Sequence, residues 1–595
     1  MSRILVNHIG YERLGPKKSV IDAPEQDALS TFELKDSNHR VCYTGKVERS
    51  GTVDGWKGYY FWSLDFSDFT KAGQYYIEVK SENDSAVSGV FAIRDQLLEW
   101  NAIPDVLSYF STQHCAGRYD RFSRSLPVEG TDKRADVHGG WYDASGDKGQ
   151  YLTHLSHSIY LNPQQTPMVV WNFLNIAALL EKETDDARRL LYYSLVDEAA
   201  YGGDFLVRLM SPDGYFYMGI RNVDYNDPAK RLVAGVMGDE SLLVSAKNEN
   251  SIKSGFREGA GVAIAALARL STITTYGDYD SATYLDIAVR AFQHLQKHNT
   301  EYLYDQKENI VDDYCALLAA VELYAATGKE TFYSCAEARL KSLQSRQANK
   351  EYPGHFDADD EGKRPFYHPA DAGLPAIALL RFCDIAKTDE AKESALRCVR
   401  AYLTFALNIT NEVNNPFGYA RQLVKAVDAP VRSSFFMPHH NETGYWWQGE
   451  NATLASQSAM AFLAVKYFQD DKEFCRQLIR YGMDQLNWIL GLNPFDSCML
   501  HGKGHDNRNY YDPLPLVCGG ICNRVTGGFD DEADIAFDTE GLRDRPDTAW
   551  RWTEQWIPHG AWFVLAAGLY SFGLEKEASS VDKLAAALEH HHHHH

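Results

Sequence analysis

Two aspartates four residues apart, Asp143 and Asp147, lie in the segment His138-Gly-Gly-Trp-Tyr-Asp-Ala-Ser-Gly-Asp147. Glycines let such a loop turn tightly and approach a ligand closely. Two neighbouring carboxylates can share one water: one takes its proton and the other holds it in place. Splitting a glycosidic bond needs such a base, together with an acid that protonates the leaving oxygen. Spacing alone favours a plainer account, a turn in which both aspartates cap backbone N–H groups.

An acid partner is offered far downstream, in Trp550-Arg-Trp-Thr-Glu-Gln-Trp-Ile-Pro-His559. Glu554 stands at an expected helix start, with Thr553 as its cap and Pro558 in the first turn. Trp550, Trp552 and Trp556 crowd it. An apolar surround raises a carboxyl pKa, which suits a general acid at neutral pH. The alternative is a helix-dipole glutamate, common at such positions.

Two further segments could hold a substrate. In Glu442-Thr-Gly-Tyr-Trp-Trp-Gln-Gly-Glu-Asn451, Tyr445, Trp446 and Trp447 could stack on sugar rings, with Glu450 beside them; they could equally anchor a loop. In Trp488 to Arg508, a helix that ends at Gly491 runs into a Gly/His/Arg loop, where His501 and Arg508 could donate to hydroxyls or simply belong to a helix C-cap and its loop. Trp141, Tyr142, Trp552 and Trp556 complete the candidate binding set. His439 and His440 are adjacent and point different ways, so no metal ligands are assigned.

Composition narrows the rest. A formal net charge of −22 excludes a nucleic-acid footprint. Ten cysteines in 595 residues make no disulfide framework. No membrane span is visible, and no signal peptide follows Met1, so a cytoplasmic protein with a small imported substrate is expected. No cofactor is required by this chemistry, and a structural metal ion is left open. A monomer or small homo-oligomer is expected.

These residues must be positioned by a scaffold. Residues 1–95 alternate and turn like β structure, with expected strands at Tyr59–Leu64, Gln74–Val79 and Gly89–Ile93. They predict an immunoglobulin-like sandwich without its disulfide. From 96 to 580 the period becomes helical. Twelve helices are expected, starting near Leu97, Met168, Ser194, Phe256, Ser281, Ile310, Glu330, Ala370, Asp389, Asn451, Asp471 and Trp556. Their pairing, and the small residues of 259–268 and 452–464, point to an all-α (α/α)6 barrel, with a helical solenoid as the alternative. The long loops 113–167, 212–255, 349–369, 408–450 and 492–555 carry the candidate site residues. Residues 581–595 read as a vector linker and histidine tag.

Together these segments resemble glycoside hydrolase family 9. The family's Gly-Gly-Trp-Tyr-Asp-Ala-Gly-Asp loop is nearly matched by Gly139 to Asp147, and its Leu-Gly-x-Asn-Pro stretch by Leu490 to Pro494. Its acidic Glu, with Ala seven residues on, is matched at Glu554 and Ala561. The resemblance implies an inverting hydrolase with Asp147 as base, Asp143 holding the water and Glu554 as acid. Ser145 is an insertion in the family loop, Thr553 replaces an Asn, and the family's Pro-His-His-Arg stretch survives only near His505 to Arg508. The inserted serine, with Trp446-Trp-Gln-Gly-Glu-Asn451 and Trp552-Thr-Glu-Gln-Trp556, resembles a subgroup of exo-β-D-glucosaminidases acting on chitosan oligosaccharides. The leading expectation is therefore release of glucosamine, with Glu450 pairing the amine. The alternatives are a β-1,4-glucanase or cellodextrin β-glucosidase, and a noncatalytic carbohydrate-binding protein.

Overall fold

The computed structural model describes residues 2–82, 84–155, 159–224, 226–235, 250–443, 449–507, 516–537 and 550–574. The first part is two facing sheets. One holds β1 (Arg3–Leu5), β3 (Lys18–Asp22), β7 (Phe61–Asp65) and β6 (Glu48–Gly51), in that spatial order. The other runs β2 (Gly10–Glu12), β10 (Phe91–Arg94), β8 (Gly73–Lys80), β4 (Thr31–Asp36) and β5 (Val41–Lys46), with β9 (Ser85–Val87) paired to β8. All the pairs are antiparallel except β2–β10. Alternation decides which face is inside: Tyr75, Ile77 and Val79 of β8 are buried, while the residues between them are not. They meet Ile21, Trp62 and Leu64 of the first sheet in one apolar core. The three expected strands fall on β7, β8 and β10.

The helices follow. α1 (Leu97–Asn101), α2 (Ile103–Thr112) and α3 (Gly117–Ser123) lead into the loop that carries the aspartates. Then come α4 (Thr166–Leu180), α5 (Asp186–Arg208), α6 (Ala260–Leu270), α7 (Ser281–Tyr302), α8 (Ile310–Thr327) and α9 (Glu330–Ser345). α10 (Leu374–Ile385), α11 (Asp389–Asn411), α12 (Asn451–Ala464) and α13 (Lys472–Ile489) continue the series. The short α14 (Trp550–Thr553) precedes α15 (Ile557–Gly568).

Two kinds of helix alternate. α4, α6, α8, α10, α12 and α15 are apolar almost all round and buried. Each packs on the next, and α15 packs back on α4, so the six close a ring. Small residues permit the approach: a Cβ at Gly261 of α6 would lie 2.9 Å from the carbonyl oxygen of Cys315 in α8. The helices between them are amphipathic and lie outside. α7, for example, buries Tyr284, Ile287, Ala288, Ala291, Phe292 and Leu295. Asp185, Asp280, Thr388 and Asp471 cap α5, α7, α11 and α13 through their side chains. The stretch Ile557–Leu574 is long and apolar enough to cross a membrane, yet 94% of it is buried inside the ring.

The β part is fastened to the helices by core packing. Trp56 packs among Phe417, Phe435, Phe436 and Trp488. At a second contact His8 stacks on His505 with ring centroids 3.7 Å apart.

Candidate active site

The aspartate loop is shaped by its glycines and by a buried arginine. Gly140 has φ +76°, and a Cβ there would collide with the Phe205 ring and the Gln150 amide. The Arg231 guanidinium, fully buried, donates to Gln150 Oε1 at 2.8 Å, Lys148 O at 3.0 Å and Ser123 Oγ at 2.6 Å. The chain turns back on itself between Ala144 and Asp147, whose backbones exchange hydrogen bonds of 3.2 and 3.3 Å.

Glu554 is brought to this loop by a ladder of single bridges. Ile557 N–H donates to Asp143 O at 3.1 Å and Ser145 N–H to Gln555 O at 2.9 Å, pairing Ala144 with Trp556. Gln555 pairs in turn with Cys522, Ile521 with Leu500, and Cys498 with Leu490. Asn523 N–H donates to Glu554 O at 2.9 Å. Glu554 lies in the connection between α14 and α15, where Trp556 occupies the N-cap position. The expected cap at Thr553 is therefore corrected: Thr553 ends α14, and Glu554 stands before the helix.

Burial dominates the electrostatics. It pushes Glu554 up to about 8, the charge of Asp147 adding to the effect and the Asn523 amide opposing it. It raises Asp143 well above the usual carboxylate range, and the charges of Asp147 and Glu554 raise it further. The Trp556 and Gln165 side chains donate to Asp143 but do not offset this. Asp147 is also raised by burial, yet three groups favour its anion: Gly149 N–H at 2.8 Å, Tyr151 OH at 3.2 Å and the Arg231 charge. Of the two aspartates, Asp143 keeps a proton more readily and Asp147 ionises more readily. A carboxylate base, a neighbouring carboxyl and an acid that holds its proton at neutral pH can together activate water and protonate a leaving group.

Other expected contacts are redistributed. Trp141 is corrected: it is fully buried against Phe110 and Phe173, its Nε1 donates to Glu198 at 3.1 Å, and no ring face is open to a sugar. Trp552 is likewise a core residue, donating to Thr526 Oγ1 at 3.0 Å. Glu450 is buried and accepts from Tyr419 OH and Met437 N–H, both at 3.1 Å, so each oxygen is already engaged by the protein. Trp556 is buried but reaches Asp143. Tyr142 is half-buried, its hydroxyl accepting from Ala116 N–H at 3.1 Å. His501 is half-buried on the ladder, pairing through its backbone with Gly519 and Gly520. Tyr445, Trp446, Trp447 and Arg508 lie outside the described residues.

Gln165, Tyr151, Arg231, Asn523 and His559 were not expected from sequence. Gln165 had a faint signal, standing immediately before α4. His559 Nε2 lies 2.9 Å from Asn523 Oδ1, and burial pushes its imidazole down to about 3. The ring is therefore neutral, and its Nε2–H fixes the Asn523 amide so that Nδ2 donates to Trp550 O at 2.8 Å and to Glu554.

Among the described residues, His8, Asp496 and His505 form a group whose ligand atoms lie within 4.8 Å of one another, the spacing a cation would need. His8 Nδ1 accepts the His505 amide N–H at 3.2 Å, so Nε2 carries the proton and donates to Asp496 at 2.7 Å. That proton occupies the lone pair a metal would use. The group reads as a clasp between the two parts of the chain.

Comparison with known proteins agrees with this architecture. The family model described as glycosyl hydrolase family 9 matches residues 101–511, and that of the cellulase N-terminal Ig-like domain matches residues 1–84. A cellodextrinase of Butyrivibrio fibrisolvens is 26% identical over 538 residues, covering 85% of each chain. A metagenome-derived family 9 endoglucanase shares the fold at 18% identity, with a TM-score of 0.64 over 96% of this chain and 99% of that one. A Bacteroides ovatus family 9 protein does so at 17% identity, with a TM-score of 0.65 over 96% and 98%. The first match spans more than half the chain, though it ends before Glu554, and the protein belongs to glycosyl hydrolase family 9.

Proposed function

We propose that this glycoside hydrolase cleaves short β-1,4-linked glucose oligosaccharides with inversion, using Asp147 as base, Asp143 to orient the water and Glu554 as acid. The observation that carries the mechanism is the meeting of three carboxyls from two paired segments, Asp143 buried and Asp147 and Glu554 half-buried, with the proton-holding Glu554 beside the better-stabilised Asp147 anion. The six-membered helical ring with its outer partners is read as an (α/α)6 barrel, with the site on the long loops before its inner helices. The cellodextrinase relative supports cellodextrins as substrate. The chemistry needs only carboxyls and water, so no cofactor is assigned.

The aminosugar expectation is weakened at its recognising residue, because Glu450 is buried beneath the surface and its oxygens accept from Tyr419 and Met437. Turnover of cellobiose, cellotriose and the disaccharides of glucosamine and N-acetylglucosamine, measured side by side, tests the substrate. Faster turnover of the glucosamine disaccharide overturns the glucan reading. NMR of the first-formed anomer tests the mechanism: a β product from a β substrate refutes inversion. Glu554→Gln should lower kcat about 10²- to 10⁴-fold while sugar binding survives. An unchanged rate removes Glu554 as the acid.

A further inference from the structure

We propose that Ser145 is a positioning residue for the acid Glu554, its hydroxyl replacing a backbone carbonyl in the ladder that joins the aspartate loop to the acid segment; this rests on the assignment of Glu554 made above. Ala144 and Trp556 form an antiparallel bridge, flanked by Ile557 N–H to Asp143 O and Ser145 N–H to Gln555 O. In a regular ladder the Ser145–Gln555 pair would exchange two backbone bonds. Only one is backbone here. Gln555 N–H donates instead to Ser145 Oγ, at 3.0 Å.

The turn explains the substitution. Asp147 N–H bonds back to Ala144 O, so the chain leaves the ladder immediately after Ser145 and takes the Ser145 carbonyl with it. A side-chain acceptor at this position satisfies both demands: the loop curls to bring Asp147 back, and the buried Gln555 N–H keeps a partner. Gln555 directly follows Glu554 in sequence and is 410 residues from Ser145. Its other polar groups are also engaged. Gln555 Oε1 accepts Val517 N–H at 3.0 Å, and its Nε2 donates to Val517 O at 2.8 Å. The peptide that carries the acid is therefore fixed from both sides, and Ser145 is the contact supplied by the base loop. Losing the hydroxyl would orphan a buried N–H, and the segment would shift to find water or another acceptor. Displacement of about 1 Å can cost on the order of 100-fold in rate.

The distinguishing consequence concerns leaving groups. A sugar leaving group needs the proton of Glu554, whereas 2,4-dinitrophenolate leaves as a stable anion without it. Ser145→Ala should therefore lose roughly 10- to 100-fold in kcat on the disaccharide, with little change in KM. On the dinitrophenyl glycoside of the same sugar it should lose no more than a few-fold. Ser145→Cys, close in size but a poor acceptor, should show the same split if the alanine variant folds badly, and Ser145→Thr should restore the rate. Glu554→Gln is the control and should split the two substrates more widely. A split in Glu554→Gln without one in Ser145→Ala or Ser145→Cys overturns the role of Ser145 alone. Equal losses on both substrates in the Ser145 variants also overturn it, since they would mean that the hydroxyl serves the base or the fold. A split in none of the variants overturns the assignment of Glu554 itself.

Discussion

Replacing Asn523 by alanine should move the alkaline limb of the pH–kcat/KM profile upward. The Asn523 amide donates to Glu554 and favours its anion, opposing the burial that pushes the carboxyl up to about 8. A hydrogen bond to a charged group contributes about 1.5–3 kcal/mol net, and one pKa unit corresponds to about 1.4 kcal/mol. Removing the donor should therefore raise the Glu554 pKa by about one to two units, less whatever a water entering the space restores. The acid then stays protonated to higher pH, so activity falls later on the alkaline side. The acidic limb should not move, because the groups that favour the Asp147 anion are Gly149, Tyr151 and Arg231. The profile should be measured as kcat/KM, which reports free-enzyme ionisations. Thermal unfolding should accompany it, since the variant also strips the acceptor from the His559 Nε2–H. An alkaline limb that stays put or moves downward in a folded variant would refute the reasoning.

Three other outcomes follow from the same geometry. Arg231→Gln removes a charge that favours the Asp147 anion, so the acidic limb of the same profile should rise while the alkaline limb stays. Glu554→Gln should become more stable relative to wild type as pH rises from about 4.5 to 8. Over that window the folded wild type binds a proton that the unfolded chain has released, so wild-type stability declines; melting temperatures at pH 5 and pH 8 check the sign. Gly140→Ala should destabilise the fold by about 1–2 kcal/mol for its left-handed backbone, and by about 1–3 kcal/mol more for the overlap with Phe205, measurable by urea unfolding together with loss of activity.

Apolar periodicity made most helices legible, and eleven of the twelve expected starts lie within four residues of those observed, for α1, α4, α6 to α13 and α15. The start expected at Ser194 missed eight residues of α5, because Asp186 to Tyr193 holds no fully buried residue and only Leu191 and Tyr192 pack on the core. That first stretch is held by the Asp185 cap and by Arg188, which pairs with the buried Glu99 at 2.6 Å. The single helix expected from Leu97 divides at Ala102, and Pro104, which occupies the first turn of α2, is the overlooked signal of the break. In the site, the aspartate loop was legible because its residue types are unusual together. The aromatic residues misled: Trp141 and Trp552 carry polar tips that find partners in the core. Asn523 and Arg231 carried no signal, since their roles depend on contacts between segments remote in the chain.

The ring itself explains why the site formed where it did. Long connections precede its inner helices, and the start of each such helix carries a buried acid or amide: Gln165 before α4, Glu258 before α6, Asp312 in α8, Asp371 before α10 and Glu450 before α12. Helix N-termini offer unsatisfied N–H groups and a positive dipole end, which makes acids tolerable there. Displaced ionisation therefore does not by itself mark a functional residue in this fold. Burial pushes Glu258 and Glu450 up to about 8 and Asp371 to about 7, close to Glu554. Each of those three is sealed and held by protein donors. Glu554 is more exposed, and a neighbouring carboxylate raises it further. Closure of α15 onto α4 brings the loop before one and the segment before the other side by side, so that Asp143, Asp147 and Glu554 oppose one another's ionisation. Partial exposure of Asp147 and Glu554 beside the buried Asp143, together with their mutual repulsion, separates chemistry from architecture here, where burial alone cannot.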